Sequence, residues 1–298
     1  MSKIIYMDTK VGFHVSIAGG ISNSVDNALK IGCKAFQIFS RNPRSWAAKP
    51  LEVEDVKNFQ IKLVNSKIRR KSVFVHMPYL PNLSAPDSIL YEKSVNVLRD
   101  EIQRCSRLDI PYLVLHLGSN LGKGSDNGIS QLVKACNFAF DNYYKSSEDQ
   151  RGSNSVTILL ENSAGQKNSI GSKFEEIGVI LDKLNSSKKF GICLDTCHAF
   201  AAGYDLRTEY GVNTTMDQFH NIIGLKELKM VHLNDSKGKI NSHRDRHEHI
   251  GLGEMGEKGF RALFKHATIR KLPLIMETPN DERRHDSDNL KALLELIA

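Results

Sequence analysis

Eight short apolar runs, each followed by a longer stretch with helical spacing, constrain this chain more than any other feature. The runs cover residues 11–15, 35–39, 73–76, 112–116, 157–161, 190–195, 229–233 and 273–277. Between them, residues 53–66, 89–108, 129–144, 173–184, 216–223 and 257–265 place apolar side chains three and four apart, as amphipathic helices do. Alternation of this kind predicts a parallel sheet with right-handed crossovers, and eight units close on themselves into a (β/α)8 TIM barrel. An open, doubly wound sheet would need a glycine-rich dinucleotide fingerprint or another switch-point crevice, and no Gly-x-Gly-x-x-Gly is expected to follow a strand. No linker interrupts the cadence, so residues 1–298 are expected to form a single domain, with a polar loop at 145–155.

Composition narrows the setting. Hydrophobic residues make up 40% of the chain and charged ones 25%, enough for a buried core, and no apolar run reaches the roughly 18 residues of a membrane span. Residues 1–20 lack the layout of a signal peptide, since Lys3 and Lys10 only flank a short strand-like Ile4-Ile5-Tyr6-Met7. Five cysteines without framework spacing suit a reducing compartment. An intracellular protein is expected, cytoplasmic in a prokaryote or nuclear in a eukaryote, with no membrane partner. A net charge of +7 suits a polyanionic partner, of which nucleic acid is the commonest.

Chemistry on a barrel collects at the C-terminal ends of its strands. Those ends here are His76, His116, Glu161, Asp195, His232 and Glu277, one on each of six consecutive runs. Unpaired acids and imidazoles crowded at one mouth would strongly perturb each other's ionisation. A divalent cation resolves the conflict by neutralising carboxylates and ligating imidazoles, and this donor set favours Zn2+, with Mn2+ or Fe as substitutes. His198 follows Asp195 by three residues. In His243-Arg244-Asp245-Arg246-His247-Glu248-His249, Asp245 and His247 share a face of an extended segment, and His243 and His249 share its parity. The best-placed groups number nine, which suits two or three ions at about four ligands each. Clustered ions suit phosphoester hydrolysis. Glu161, Asp195, His232 and Glu277 alone would also suit a metal-dependent sugar isomerase, and structural zinc in a non-catalytic DNA-binding protein is a third reading.

Several segments resemble the endonuclease IV family of apurinic/apyrimidinic (AP) endonucleases. They include Gly12-Phe13-His14-Val15-Ser16-Ile17-Ala18-Gly19-Gly20 and Leu194-Asp195-Thr196-Cys197-His198-Ala199-Phe200-Ala201-Ala202-Gly203-Tyr204-Asp205. His232-Leu233-Asn234-Asp235-Ser236-Lys237, Asp245-Arg246-His247 with Gly251-Leu252-Gly253-Glu254, and Glu277-Thr278-Pro279 complete the likeness. The resemblance implies a DNA-repair enzyme with three zinc ions per chain. It hydrolyses the phosphodiester bond 5′ to an abasic site and leaves a 3′-hydroxyl and a 5′-deoxyribose phosphate. His76, His116 and Glu161 would hold one ion, and Glu161 would bridge to a second held by Asp195, His232 and Glu277. His198, Asp245 and His247 would hold the third. Double-stranded DNA containing abasic sites is the implied partner of a monomer. Arg44, in the loop 40–46, and the pair Tyr79 and Leu80 are implied to enter the duplex. Wedging costs least where a base is already missing. Trp46 is as suited to anchoring its loop as to touching DNA. His14, Asn162 and Asp235 are expected to support ligands, and Cys193 and Cys197 to stay unligated.

Overall fold

The computed structural model describes residues 9–86, 88–146, 156–185 and 189–298. The short run Ile4-Ile5-Tyr6-Met7 and most of the 145–155 segment lie outside them; Lys145 and Ser146 belong to the helix before it. The barrel strands are β1 (Val11–His14), β2 (Ala35–Phe39), β3 (Val73–His76), β4 (Tyr112–His116), β5 (Thr157–Glu161), β6 (Phe190–Asp195), β7 (Leu228–His232) and β10 (Leu274–Met276). They close in chain order, every neighbouring pair parallel, as the alternation requires. The helices are α1 (Asn23–Ile31), α2 (Val53–Ser66), α3 (Ile89–Leu108), α4 (Ser125–Ser146), α5 (Phe174–Lys183), α6 (Thr196–Ala202), α7 (Glu209–Ile222), α8 (Gly256–Lys265), α9 (Ala267–Lys271) and α10 (Asp286–Ile297). A small antiparallel pair, β8 (Asp235–Ser236) and β9 (His247–Glu248), rises after β7. Among the described residues, no helix is long and apolar enough to cross a membrane.

Most boundaries fall within a residue of the expected ones; α7 begins at Glu209 instead of 216. The cause is local, since the Thr208 hydroxyl accepts the Gly211 N–H at 3.1 Å and caps the helix a full turn and more before its apolar stripe is evident. α1 and α6 carry weaker signals. α1 is short, with only Ser24, Val25 and Ala28 buried, and α6 is buried along nearly its whole length and so shows no apolar stripe against a polar one.

Two apolar layers hold the barrel. The larger lies between strands and helices, and a smaller one fills the interior with Ala35, Phe74, Val114, Leu159, Cys193, Met230 and Ile275. Strand side chains alternate faces, so the residue two positions beyond each interior residue also points inward, one layer nearer the mouth. Those residues are Gln37, His76, His116, Glu161, Asp195, His232 and Glu277. On β1 the interior position is Gly12, where a Cβ would lie 1.6 Å from the Ala35 carbonyl oxygen; its successor is His14. The pleat thus delivers polar residues from all eight strands to one mouth.

Candidate metal centre

Glu161 sits at the middle of the mouth and is buried. Its Oε2 lies 3.1 Å from His76 Nε2 and 3.3 Å from His116 Nε2, and its Oε1 lies 3.0 Å from His232 Nδ1. His232 Nδ1 is also 3.5 Å from Glu277 Oε2 and 3.8 Å from Asp195 Oδ2. Asp245 Oδ1 lies 3.1 Å from His198 Nε2 and 3.5 Å from His247 Nε2. Donor atoms of His76, His116 and Glu161 lie within 4.8 Å of one another, as do those of Glu161, Asp195, His232 and Glu277, and those of His198, Asp245 and His247. The nine groups expected at the site therefore fall into three sets, with Glu161 shared by two. Asp195, Cys197 and His247 also approach within this distance. Burial pushes the Cys197 thiol well above its ordinary value and the Cys193 thiol up to about 12, so both are protonated in the metal-free chain.

Local structure explains how loop residues join strand ends. Asp195 closes β6 and caps α6, its Oδ1 accepting the His198 N–H at 2.7 Å. That single turn carries His198 back over the mouth. Asp245 and His247 arrive on the β8–β9 hairpin, which Asp235 tethers by accepting the backbone N–H groups of Ser236, Gly253 and Met255 at 2.8–3.0 Å. Asp235 therefore acts through the backbone of the hairpin and touches none of the nine donor side chains. It also explains Gly253, while Gly251 and Gly256 take left-handed backbone angles of +78° and +63°. The Gly-x-Gly-x-x-Gly pattern does follow a strand, the two-residue β9, but its N–H groups at 253 and 255 are taken by Asp235, and a Cβ at Gly253 would sit 2.5 Å from that carboxylate.

The side chains around the ring nitrogens decide what the centre can bind. His76 Nδ1 donates to the Met77 carbonyl at 2.7 Å, His198 Nδ1 to the Asn162 carbonyl at 2.9 Å, and His247 Nδ1 to the Glu277 carbonyl at 3.1 Å. His232 Nε2 donates to Gln37 Oε1 at 2.9 Å. Each ring is thereby held with a proton on its outer nitrogen and turns the other toward carboxylate oxygens. Lone pairs facing carboxylates at 3.0–3.6 Å repel unless a cation lies between them. Nε2 of His198 and of His247 are buried with no hydrogen-bond partner, although Asp245 is within 3.5 Å of both. The carboxylate lies off the axis of both nitrogens, where an ion shared among the three would satisfy all of them. The residues fit a divalent metal.

Without an ion, protons take its place. Burial alone would lower the pKa of His198 and His232. Asp195 and Asp245 around the first, with Cys193, Glu277 and Glu161 around the second, outweigh it and hold both well above the ordinary value. Burial alone would raise Glu161 and Glu277, but the His232 charge, reinforced by His116 for the first, holds both well below the carboxylate range. Burial likewise opposes ionisation of Asp245, and His198 prevails, drawing it down to about 2. Two orienting amides stand within or just past runs that the sequence marks as apolar. Gln37 joins Glu277 to His232, and Asn234 donates to Asp195 Oδ2 at 2.7 Å while accepting the Glu277 N–H at 2.8 Å. Asn162 grips the Asp195 backbone as expected. His243 pairs with the Ala164 carbonyl, and buried His249 faces Asp281 and Asn289; neither enters a donor set.

Beside the centre stand Arg44, Tyr79 and Leu80. Arg44 is on the loop after β2, and the Tyr79 N–H donates to the Pro43 carbonyl at 3.2 Å, tying that loop to the one after β3. Tyr79 is 59% exposed and Leu80 37%, and both line a cavity of about 350 Å³ that reaches Glu161, His116 and Asp245. Trp46 is half-buried against the core and anchors its loop.

Comparison with known proteins is consistent across sequence and structure. Residues 25–298 match the family described as xylose isomerase-like TIM barrel. The chain is 51% identical to a "Probable endonuclease 4" of Nitrosopumilus maritimus (strain SCM1) over 95% of its length and 98% of the relative's. Identity to a protein of the same name from Cenarchaeum symbiosum (strain A) is 52%, over 95% and 98% of the two chains. The crystal structure of endonuclease IV from Thermus thermophilus superposes with a TM-score of 0.81 at 32% identity, covering 97% of this chain and 98% of that one. The chain belongs to the endonuclease IV family of xylose isomerase-like TIM barrels.

Proposed function

We propose that this protein is a DNA-repair AP endonuclease. It acts as a monomer and hydrolyses the phosphodiester bond 5′ to an abasic site, leaving a 3′-hydroxyl and a 5′-deoxyribose phosphate. The observation that carries this reading is the set of carbonyl-oriented imidazoles turned toward shared carboxylates, a donor arrangement for three ions in place of one or two. A sugar isomerase needs only the Glu161, Asp195, His232 and Glu277 set and would leave His76, His116, His198, Asp245 and His247 without purpose. The named function of the relatives supports the same reading.

His76, His116 and Glu161 would hold the first ion, Glu161, Asp195, His232 and Glu277 the second, and His198, Asp245 and His247 the third; Zn2+ suits these donors. When bound, such ions generate a nucleophile from water at neutral pH and neutralise charge on the departing oxygen. Everything else falls to the chain's own residues. Glu161 would offer its one carboxylate to two of the three donor sets. Asp195, as strand end and helix cap, sets His198 against Asp245. Tyr79 and Leu80 supply apolar bulk at the rim, and Arg44 a cation beside it, so that a duplex lacking a base opens toward the centre at less cost than an intact one.

Incubation of zinc-loaded protein with a duplex bearing one tetrahydrofuran abasic analogue tests the reading. Incision on the 5′ side with a polymerase-extendable 3′ end, and about three zinc atoms per chain by emission spectroscopy, are expected. No incision by metal-replete protein, or incision on the 3′ side, would overturn it.

A further inference from the structure

Seven of the eight strands place a metal donor or an orienting amide at the mouth, and β1 places His14. This imidazole lines a cavity of about 360 Å³ together with His76, His116, Asp245, His247 and Glu277. Its ring rests on Phe39 with centroids 4.2 Å apart. Nδ1 lies 3.0 Å from Gln37 Nε2 and 3.5 Å from Glu277 Oε1, too far for a hydrogen bond that would compete with the amide, and Nε2 has no hydrogen-bond partner among the described residues.

Gln37 settles which nitrogen of His14 carries the proton. The amide is wholly buried, and one end lies 2.8 Å from Glu277 Oε1, an oxygen that only accepts. That end must be the NH2 group, which fixes the amide orientation on chemical grounds. Its second hydrogen serves His14 Nδ1, which therefore accepts. The carbonyl end takes the N–H of His232 Nε2. One amide thus gives two histidines opposite tasks. His232 presents a lone pair to the metal donors, and His14 keeps its proton on Nε2 as an N–H donor.

We propose that His14 is a catalytic residue of this centre, donating its Nε2–H to a non-bridging oxygen of the phosphate being cleaved. The proposal rests on the endonuclease reading. The cavity that His14 lines contains no Lys or Arg among the described residues, so a phosphate held there finds protein donors in His14 and in the hydroxyls of Tyr79 and Thr278. A neutral N–H suits this position. It stabilises negative charge on the phosphate without adding a cation that would compete with the metal ions. The buried N–H also gains a partner that the protein alone does not provide.

The test uses zinc-loaded His14→Phe, which keeps the ring against Phe39 and removes the donor. Expected is a fall of about 10- to 100-fold in kcat on the tetrahydrofuran duplex, with KM and zinc content as in the wild type. A kcat within about twofold of wild type overturns the proposal. Should the variant lose zinc, the decision passes to wild-type, zinc-loaded protein carrying nitrogen-15-labelled histidine. There His14 is expected to be protonated at Nε2, and that resonance is expected to move on titration with inorganic phosphate. Protonation at Nδ1, or no response to phosphate, overturns the proposal equally. Failure of the endonuclease reading would look different, as absence of incision by the wild type itself.

Discussion

The loop that carries Arg44 is pinned from below by a buried ionic cluster, and breaking it should both destabilise the barrel and slacken DNA binding. Glu101, on α3 and fully buried, accepts from Ser40 Oγ at 2.7 Å and from Arg41 Nε at 2.5 Å. Arg104, one turn on, donates to Ser40 Oγ at 2.7 Å, to the Ser40 carbonyl and to the Lys49 carbonyl at 3.0 Å. Burial dominates Glu101 and raises its pKa, since Arg41, Ser40 and Arg104 together do not fully offset the desolvation. The cluster is therefore a weak net stabiliser and a costly one to break. Glu101→Ala leaves Arg41 and Arg104, each 6% exposed, with no buried counter-charge: Arg41 keeps the Asp100 carboxylate on the rim, and Arg104 only neutral acceptors. Removing one partner of a buried pair costs about 3–5 kcal/mol, and at about 2–4 °C per kcal/mol for a chain somewhat smaller than this one the melting temperature should fall by about 6–20 °C. Glu101→Gln keeps the acceptor oxygen and should cost about half as much. Calorimetry at neutral pH gives the stability, and fluorescence anisotropy with an abasic duplex gives the binding. If Glu101→Ala melts within about 2 °C of wild type, the cluster does not anchor the loop.

Arg44→Ala should weaken binding to an abasic duplex by about tenfold, or about 1.4 kcal/mol, and binding to intact duplex by less; equal losses would reduce Arg44 to a phosphate contact. Glu161→Gln should lower incision by about 10³-fold with an unchanged circular dichroism spectrum, and near-wild-type activity would contradict the shared carboxylate. Metal-free protein should lose stability as pH rises. His198 and His232 have raised folded pKa values, so their contribution is fully present below about pH 6.5 and is lost as pH climbs through the higher folded values. Zinc-loaded protein should show the opposite trend in metal affinity, because the ions displace those same protons. Melting curves of both forms between about pH 6 and 9 would show diverging slopes, and parallel slopes would refute the exchange.

How much of this is visible in the amino-acid sequence depends on the kind of signal. Strand ends are visible because six of them break an apolar run with a histidine or an acid, and the barrel then supplies the convergence. Gln37 and Asn234 are not, since an amide near an apolar run is common and its value comes only from what lies across the barrel, 195 residues away for Gln37 and His232. Asp235 shows the converse: a carboxylate next to ligands reads as a support for them, yet its own neighbour and two backbone N–H groups of a distant turn claim it. His243 and His249 share parity with Asp245 and His247, but parity holds only while the chain stays extended, and His243 has a left-handed φ of 51°. Spacing finds candidates where the backbone is regular, and it fails at the first turn.

The same regularity explains how one barrel can host several metal chemistries. The pleat alone brings Glu161, Asp195, His232 and Glu277 together, because each stands two residues beyond an interior position of its strand. His76 and His116 come by the same rule from β3 and β4. The third donor set is different in origin: it needs a capped turn after β6 and a hairpin after β7 to bring His198, Asp245 and His247 over the mouth. These additions demand ordered loops, which is why Asp195, Asp235 and Asn162 each bind backbone N–H groups close to the centre. Loosening the hairpin should therefore deplete one ion and leave the strand-borne donors intact, so that the nuclease centre fails from its loops inward.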